Sequence, residues 1–170
     1  MSLAPQNIRT FFISSSTWGR RSILQSHPLC DLLLSVIREN RAKERLLVHE
    51  FVFMRDHVHF IVTPAPLVSV EKAMQYIKGG FSYRAKKENL SNGGIWEKGY
   101  NERRIKDADE YATHVNYVWM NPVKAGLVER PEEFLYSSAR LRRELDPAPL
   151  QYQRMPAAKA DSLGAAFPLD

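Results

Sequence analysis

The sequence predicts an α+β fold of the ferredoxin-like kind over residues 1–145, an antiparallel sheet with helices packed on it. Three observations lead there. Strand-like and helix-like segments alternate in the order β-α-β-β-α-β-α. The second and third strands are separated only by Arg55-Asp56, a tight turn, so they form a hairpin. The remaining connections are short, and one antiparallel sheet with helices on it is the simplest closed form of that order.

Each element has its own signal. Asn7 to Trp18 is rich in aromatic and β-branched residues and reads as the first strand. In "HPLCDLLLSVIREN", Leu29, Leu33, Val36 and Ile37 fall on one side and Pro28 sits in the first turn, which predicts a helix. Arg45 to Met54 and "HVHFIVTP" are the arms of the hairpin. A helix from a Ser69 cap to about Glu88 has Val70, Met74, Ile77 and Phe81 as its buried stripe. A fourth strand falls around "GYNERRIK". The last helix, "DADEYATHVNYVWMNPVKAGLV", opens on Asp107 with Glu110 three residues on, resembling a capping box. Pro122 should end or kink it, with Gly126 near a natural stop. From Asp146 to residue 170 the chain has four prolines and little periodicity, and reads as a loosely ordered tail.

The chain of 170 residues is long enough for one sizeable core. Its single cysteine, Cys30, excludes an internal disulfide framework and a cysteine-rich zinc site. No stretch approaches the ~20 apolar residues of a membrane span. "MSLAPQNIRT" lacks the apolar core of a secretory signal, so the expected location is the cytoplasm, with no membrane partner. The net charge of +5 is modest, but its placement is uneven. "RENRAKER", "YIKGGFSYRAKKE" and "EKGYNERRIK" concentrate Lys and Arg, which suits a polyanion such as nucleic acid.

Two of the five histidines lie in "RDHVHFIV". Residues i and i+2 of a strand share a face, so His57 and His59 stand side by side while Val58 and Phe60 point into the core. Such a pair can hold one divalent cation. Alone, an H-x-H pattern is more often two polar residues on an outward face. The last helix changes the balance: Tyr117 and Asn121 are spaced i, i+4 and share a face, with His114 and Lys124 near it. Its opposite face, Tyr111, Val115, Val118 and Pro122, is apolar and suited to packing on the sheet.

Two imidazoles and an amide oxygen supply three ligands and leave positions open for substrate. With no thiolate, that set suits Mg²⁺ or Mn²⁺ when phosphate oxygens complete the shell. Tyr117 would be the nucleophile on phosphorus, and a phenol with an ordinary pKa near ~10 needs activation by its site. The plainer readings are a core-edge tyrosine, an Asn121 that caps a short following helix, a supporting surface His114 and a solvated Lys124.

"MRDHVHFIV" together with "YVWMNPVKAGLV" resembles the REP-associated tyrosine transposases, a bacterial branch of the single-tyrosine HUH transposases of insertion sequences. The His-hydrophobic-His motif falls on His57-Val58-His59, and the tyrosine before an Asn-Pro-Val-Lys-like run is Tyr117 ahead of Asn121 to Lys124. "YIKGGFSYRAKKE", "IWEKGYNERRIKDADEY" and "FLYSSA" also resemble segments of that family, so the likeness runs over roughly residues 7 to 140. It implies a ferredoxin-like HUH fold and cleavage of single-stranded DNA at or beside a hairpin. It further implies a 5′-phosphotyrosine at Tyr117, a free 3′-OH and rejoining by the reverse reaction without ATP. His57, His59 and Asn121 carry over as metal ligands, the last where relatives often have Gln. Arg55-Asp56 departs from the Pro-Asn or Pro-Glu common in relatives, at a turn position expected to leave the chemistry untouched. Relatives include both dimers and monomers.

For DNA, the helix from Ser69 offers Lys72, Lys78, Arg84, Lys86 and Lys87. Arg103, Arg104 and Lys106 are expected to line the same groove, with Lys124 beyond the tyrosine. Tyr83, Trp96 and Tyr100 are candidate stacking platforms. Gly79-Gly80 in mid-helix suggests either close approach of a backbone or tight packing. Two other functions compete with strand transfer: a hairpin-DNA-binding regulator without catalysis, and a metal-dependent hydrolase that uses water.

Overall fold

The structure, a computed structural model, describes residues 8–153. Four strands form one antiparallel sheet: β1 (Phe11–Ser16), β2 (Leu46–Met54), β3 (His57–Pro64) and β4 (Asn101–Arg104). Their order across the sheet is β2-β3-β1-β4, the ferredoxin-like arrangement. The helices α1 (His27–Ala42), α2 (Val70–Lys87) and α3 (Ala108–Lys124) complete the expected order, and α4 (Ser138–Leu141) is a short addition.

The topology decides which face carries which helix. β1 and β2 are parallel with β3 between them, and β3 and β4 are parallel with β1 between them. Each pair is joined by a helical crossover, and crossovers of this kind share one hand. Both α1 and α2 therefore cover the same face. There Leu33, Ile37, Met74, Ile77 and Phe81 pack on Ile13, Phe51, Phe53, Val58 and Phe60. The other face is left to α3, whose Tyr111 and Val118 pack with Val52, Met54, Ile61 and Ile105.

A bulge between Val48 and Glu50 shifts the alternation of β2. Before it, Leu46 and Val48 face α1 and α2; after it, Phe51 and Phe53 do. The shift leaves both His49 and Glu50 on the α3 side, where His49 Nε2 lies 2.8 Å from Thr63 Oγ1 and the Trp119 indole N–H donates to Glu50 at 2.7 Å.

Two expectations at the chain's later end need correction. Pro122 does not end α3, which runs on to Lys124. Stop signals follow at once: Gly126 has φ +72°, and the Leu127 N–H donates back to Pro122 O at 3.0 Å. Asp146 to Gln153, expected to be loose, is docked. Asp146 accepts from Arg41 Nε at 2.8 Å and from the Val48 N–H at 2.8 Å, while Tyr152 is buried and stacks on Tyr111. The apolar ring of Tyr152 and the charge of Asp146 each found a partner that local periodicity does not reveal. The rest of the expected tail, 154–170, lies outside the described residues.

Candidate active site

The β2–β3 hairpin turns at Arg55-Asp56 and places His57 at the first position of β3, opposite Met54. His57 and His59 project toward α3 with ring centroids 4.9 Å apart. Each ring has its Nδ1 held. Asp56 Oδ1 lies 2.7 Å from His57 Nδ1, and Ser14 Oγ lies 2.7 Å from His59 Nδ1. Ser14 pairs with His59 across β1 and β3, so strand register sets that contact.

His59 is buried, and its Nε2 has no hydrogen-bond partner among the described residues. A buried polar atom left this way is costly unless something else engages it. Burial, then the neighbouring charges of His57 and Arg20, push the His59 pKa down to about 3. The ring is therefore neutral, the form that binds metal. Asp56 stands below the usual carboxylate range: burial alone would raise it, but the His57 hydrogen bond and the charge of Arg20 outweigh burial.

α3 enters through Ile105–Asp107. Asp107 caps it by accepting from the Glu110 N–H at 2.8 Å, and the Glu110 carboxylate reaches back to the Lys106 N–H at 2.8 Å. The helix lays Tyr111 near His49, with centroids 6.4 Å apart, and Tyr117 against His59, 5.2 Å apart at 74°. It thus runs antiparallel to β3. Four helical residues rise about 6 Å and two strand residues span about 7 Å. The turn after Tyr117, with Asn121, therefore advances toward the His57 end. Tyr117 stays 43% exposed, and Asn121 is half-buried inside the helix rather than at a cap.

Phe12 binds the cluster together. Its ring stacks on His59 at 5.4 Å and on His114 at 4.4 Å, and meets Tyr117 edge-on at 5.7 Å. His114 thus sits on the far side of Phe12, one turn before Tyr117. Its pKa is lowered by burial and then by Arg103.

The expected single groove for DNA is not what the fold builds. Lys72, Lys78, Arg84 and Lys86 lie on α2, across the sheet from Tyr117, because both crossover helices share the far face. Lys78 is tied to Gly99 O at 2.6 Å and packs over Trp96 and Tyr100. Arg84 bonds Ser35 and pairs with Glu88 and Glu39. Register divides β4: Arg103, opposite Phe12, shares the Tyr117 face and pairs with Glu110 at 3.0 Å, whereas Arg104, opposite Phe11, faces the other way. Lys124 is exposed in the last turn of α3. Trp96 serves packing, donating to Lys78 O at 3.2 Å beside Phe81, while Tyr83 is exposed on α2. Gly80 faces Val36 of α1, where an added Cβ would sit 3.4 Å from Cγ1, so tight helix packing accounts for it.

Sequence reasoning missed Phe12, Ser14, Asp56 and Arg20. The Asp56 position was expected to be inert, yet its carboxylate orients His57. Phe12, Ser14 and Ser16 alternate along β1, a period-two signal for the site face. Arg20 Nε stands 3.4 Å from Asp56 Oδ2.

An antiparallel ferredoxin-like sheet, two histidines on one strand face and a tyrosine over them on a following helix define the single-tyrosine HUH class. The sequence profile of the family described as "Transposase IS200 like" matches residues 13–121, and the chain belongs to that family. Within it, the chain resembles the REP-associated tyrosine transposase of Escherichia coli (strain K12), with 26% identity over 138 residues, 76% of this chain and 80% of that protein. It also superposes on a REP-associated tyrosine transposase solved bound to a REP hairpin. That TM-score is 0.68 at 22% identity, covering 95% of this chain and 93% of the other, and it shows a shared fold. Family membership supports a transposase-type function in DNA processing.

Proposed function

We propose that the chain cleaves and rejoins single-stranded DNA at hairpin or palindromic repeats through Tyr117. The observation that carries the reading is the Tyr117 ring 5.2 Å from His59, whose buried Nε2 has no partner among the described residues.

The residues suit a divalent cation such as Mg²⁺ or Mn²⁺. Asp56 and Ser14 engage the two Nδ1 atoms, which leaves both Nε2 atoms for ligation. Among the described residues no third His, Cys, Asp or Glu joins them, which suits an amide oxygen from Asn121 as the third ligand. When bound, the cation would polarise the scissile phosphate and stabilise charge on the leaving oxygen.

The chain's own groups do the rest. The Tyr117 oxygen attacks phosphorus, the bond from phosphorus to the 3′ oxygen breaks, and a 5′-phosphotyrosine forms. The phenol loses its proton and the departing 3′ oxygen gains one, leaving a free 3′-OH. Reversal by another 3′-OH rejoins strands, because the ester conserves the bond. Phe12 holds the orientation by touching His59, His114 and Tyr117 at once.

The test is incubation with a labelled hairpin oligonucleotide carrying single-stranded flanks, with Mn²⁺. An adduct that survives denaturation, absent from Tyr117→Phe, is the expected result. Equal cleavage by both proteins would refute the nucleophile, and cutting with no adduct at any time would indicate water as the attacking group. Binding without cutting would make the chain a regulator.

A further inference from the structure

Just beyond β1 lies a turn, Trp18 to Arg20, that strand transfer by Tyr117 does not use. Its backbone is unusual. Gly19 has φ +59°, and Arg20, a non-glycine residue, has φ +54°. Such a conformation persists only where surroundings enforce it. Here they do. The Arg20 N–H donates to Thr17 O at 3.0 Å, the Gly19 N–H donates to Glu97 Oε1 at 2.7 Å, and the Thr17 hydroxyl donates to Asp56 O at 3.0 Å.

The turn aims Arg20 at the histidine pair. Arg20 Nη1 donates to Ser16 Oγ at 2.7 Å, and Ser16 lies opposite His57 in the sheet. Asp56 is shared, with Oδ2 toward Arg20 Nε at 3.4 Å and Oδ1 on His57 Nδ1 at 2.7 Å. A guanidinium has five N–H donors. One donates, from Nη1 to Ser16, the charge pairs with Asp56, and Nη2 donates to no partner among the described residues, on a side chain 59% exposed. Two residues earlier, Trp18 is 56% exposed.

We infer that the Trp18–Arg20 turn is a seat for the single-stranded DNA flank, with Arg20 on a backbone phosphate near the attacked one and Trp18 stacking a base. The inference rests on the strand-transfer reading for its substrate. Asp56 and Ser16 fix the guanidinium plane, so its free edge meets phosphate oxygens with little ordering cost. An indole face accepts any base by stacking. The same Asp56 that orients His57 thus sets the spacing between the strand and the imidazole pair.

The experiment measures binding in EDTA, where no cleavage occurs, using a hairpin with single-stranded flanks and a blunt hairpin. Arg20→Gln should weaken the flanked hairpin about ten-fold, leave the blunt one unchanged, and reduce the salt slope by about one. Replacing single flank phosphates by methylphosphonate should weaken wild type about ten-fold at one position and leave Arg20→Gln indifferent there. Arg20→Lys should keep the salt slope, and Trp18→Ala should weaken the flanked hairpin only. Equal losses on both hairpins, no position-specific methylphosphonate effect, or a wild type with no preference for flanks would overturn the inference. Adduct formation is read separately. A seat without an adduct would refute strand transfer alone, and an adduct without position-specific loss would refute the seat alone.

Discussion

Asp56 and His57, neighbours in the chain, share a 2.7 Å hydrogen bond between Oδ1 and Nδ1. Adjacent residues rarely face one another in a strand, but Asp56 belongs to the turn and His57 opens β3. The carboxylate holds the ring through Nδ1, and in the proposed function Nε2 would be the ligating nitrogen. We expect Asp56→Ala to lower Mn²⁺ affinity about 10–100-fold, measured by calorimetric titration in the absence of DNA. Unchanged affinity would mean that the ring needs no such support.

Phe12 touches three site residues and is only partly buried. Phe12→Ala should cost roughly 2 kcal/mol, less than the ~3–5 kcal/mol of a fully buried phenylalanine. Adduct formation should slow further than Phe12→Leu makes it, because only a ring supports the edge contact to Tyr117. Urea denaturation and single-turnover kinetics on both variants separate the two effects.

His49 gives the fold an acid limit. Burial lowers its pKa, partly offset by the Pro147 carbonyl and the charge of Asp146. The unfolded chain takes up this proton below about pH 6.5 and the folded chain does not, so stability falls as pH drops through that value. The wild-type urea midpoint should decline from pH 7 to pH 5 more steeply than that of His49→Gln. Parallel profiles would remove His49 from the account.

The two helix glycines should respond to alanine by different amounts. At Gly79 an added Cβ meets only Gln75 Cγ at 3.9 Å, within α2 and across the sheet from Tyr117. Gly79→Ala should therefore stabilise by roughly 0.5–1 kcal/mol with hairpin affinity unchanged. Gly80→Ala, 3.4 Å from Val36 Cγ1, should gain less. A loss of DNA affinity in Gly79→Ala would restore backbone approach as the reason for that glycine.

Asp146 clamps Arg41 through Nε at 2.8 Å and Nη2 at 3.0 Å while accepting the Val48 N–H. Both side chains are about one-fifth exposed, so solvent screens the pair in part. Asp146→Ala should cost about 1–3 kcal/mol. Hydrogen exchange at Val48 should accelerate in the variant, which a purely long-range effect would not produce.

Much of this architecture was legible because it rests on local rules. Period-two alternation put His57 and His59 on one face, and 3.6-residue periodicity gave α3 an apolar side against the sheet with Tyr117 near the histidines. What stayed hidden depended on contacts between distant segments. Ser14 reaches His59 only through the β1–β3 register, and the bulge at Val48/Glu50 decides which way His49 points. The basic residues of α2 read as a DNA groove because composition carries no information about sheet faces. Crossover handedness, a property of the whole topology, sent them to the other side. Asp146 and Tyr152 were invisible for the same reason, as their partners Arg41 and Tyr111 are remote in sequence.

Tyr117 lies over His59 of its own chain, delivered by the three-residue link Ile105–Asp107. Folding of one chain thus brings this phenol and the imidazoles together, and the proposed reaction through Tyr117 would need no second copy. Turnover per molecule should then hold constant on dilution, and mixing Tyr117→Phe with His59→Ala chains should restore nothing.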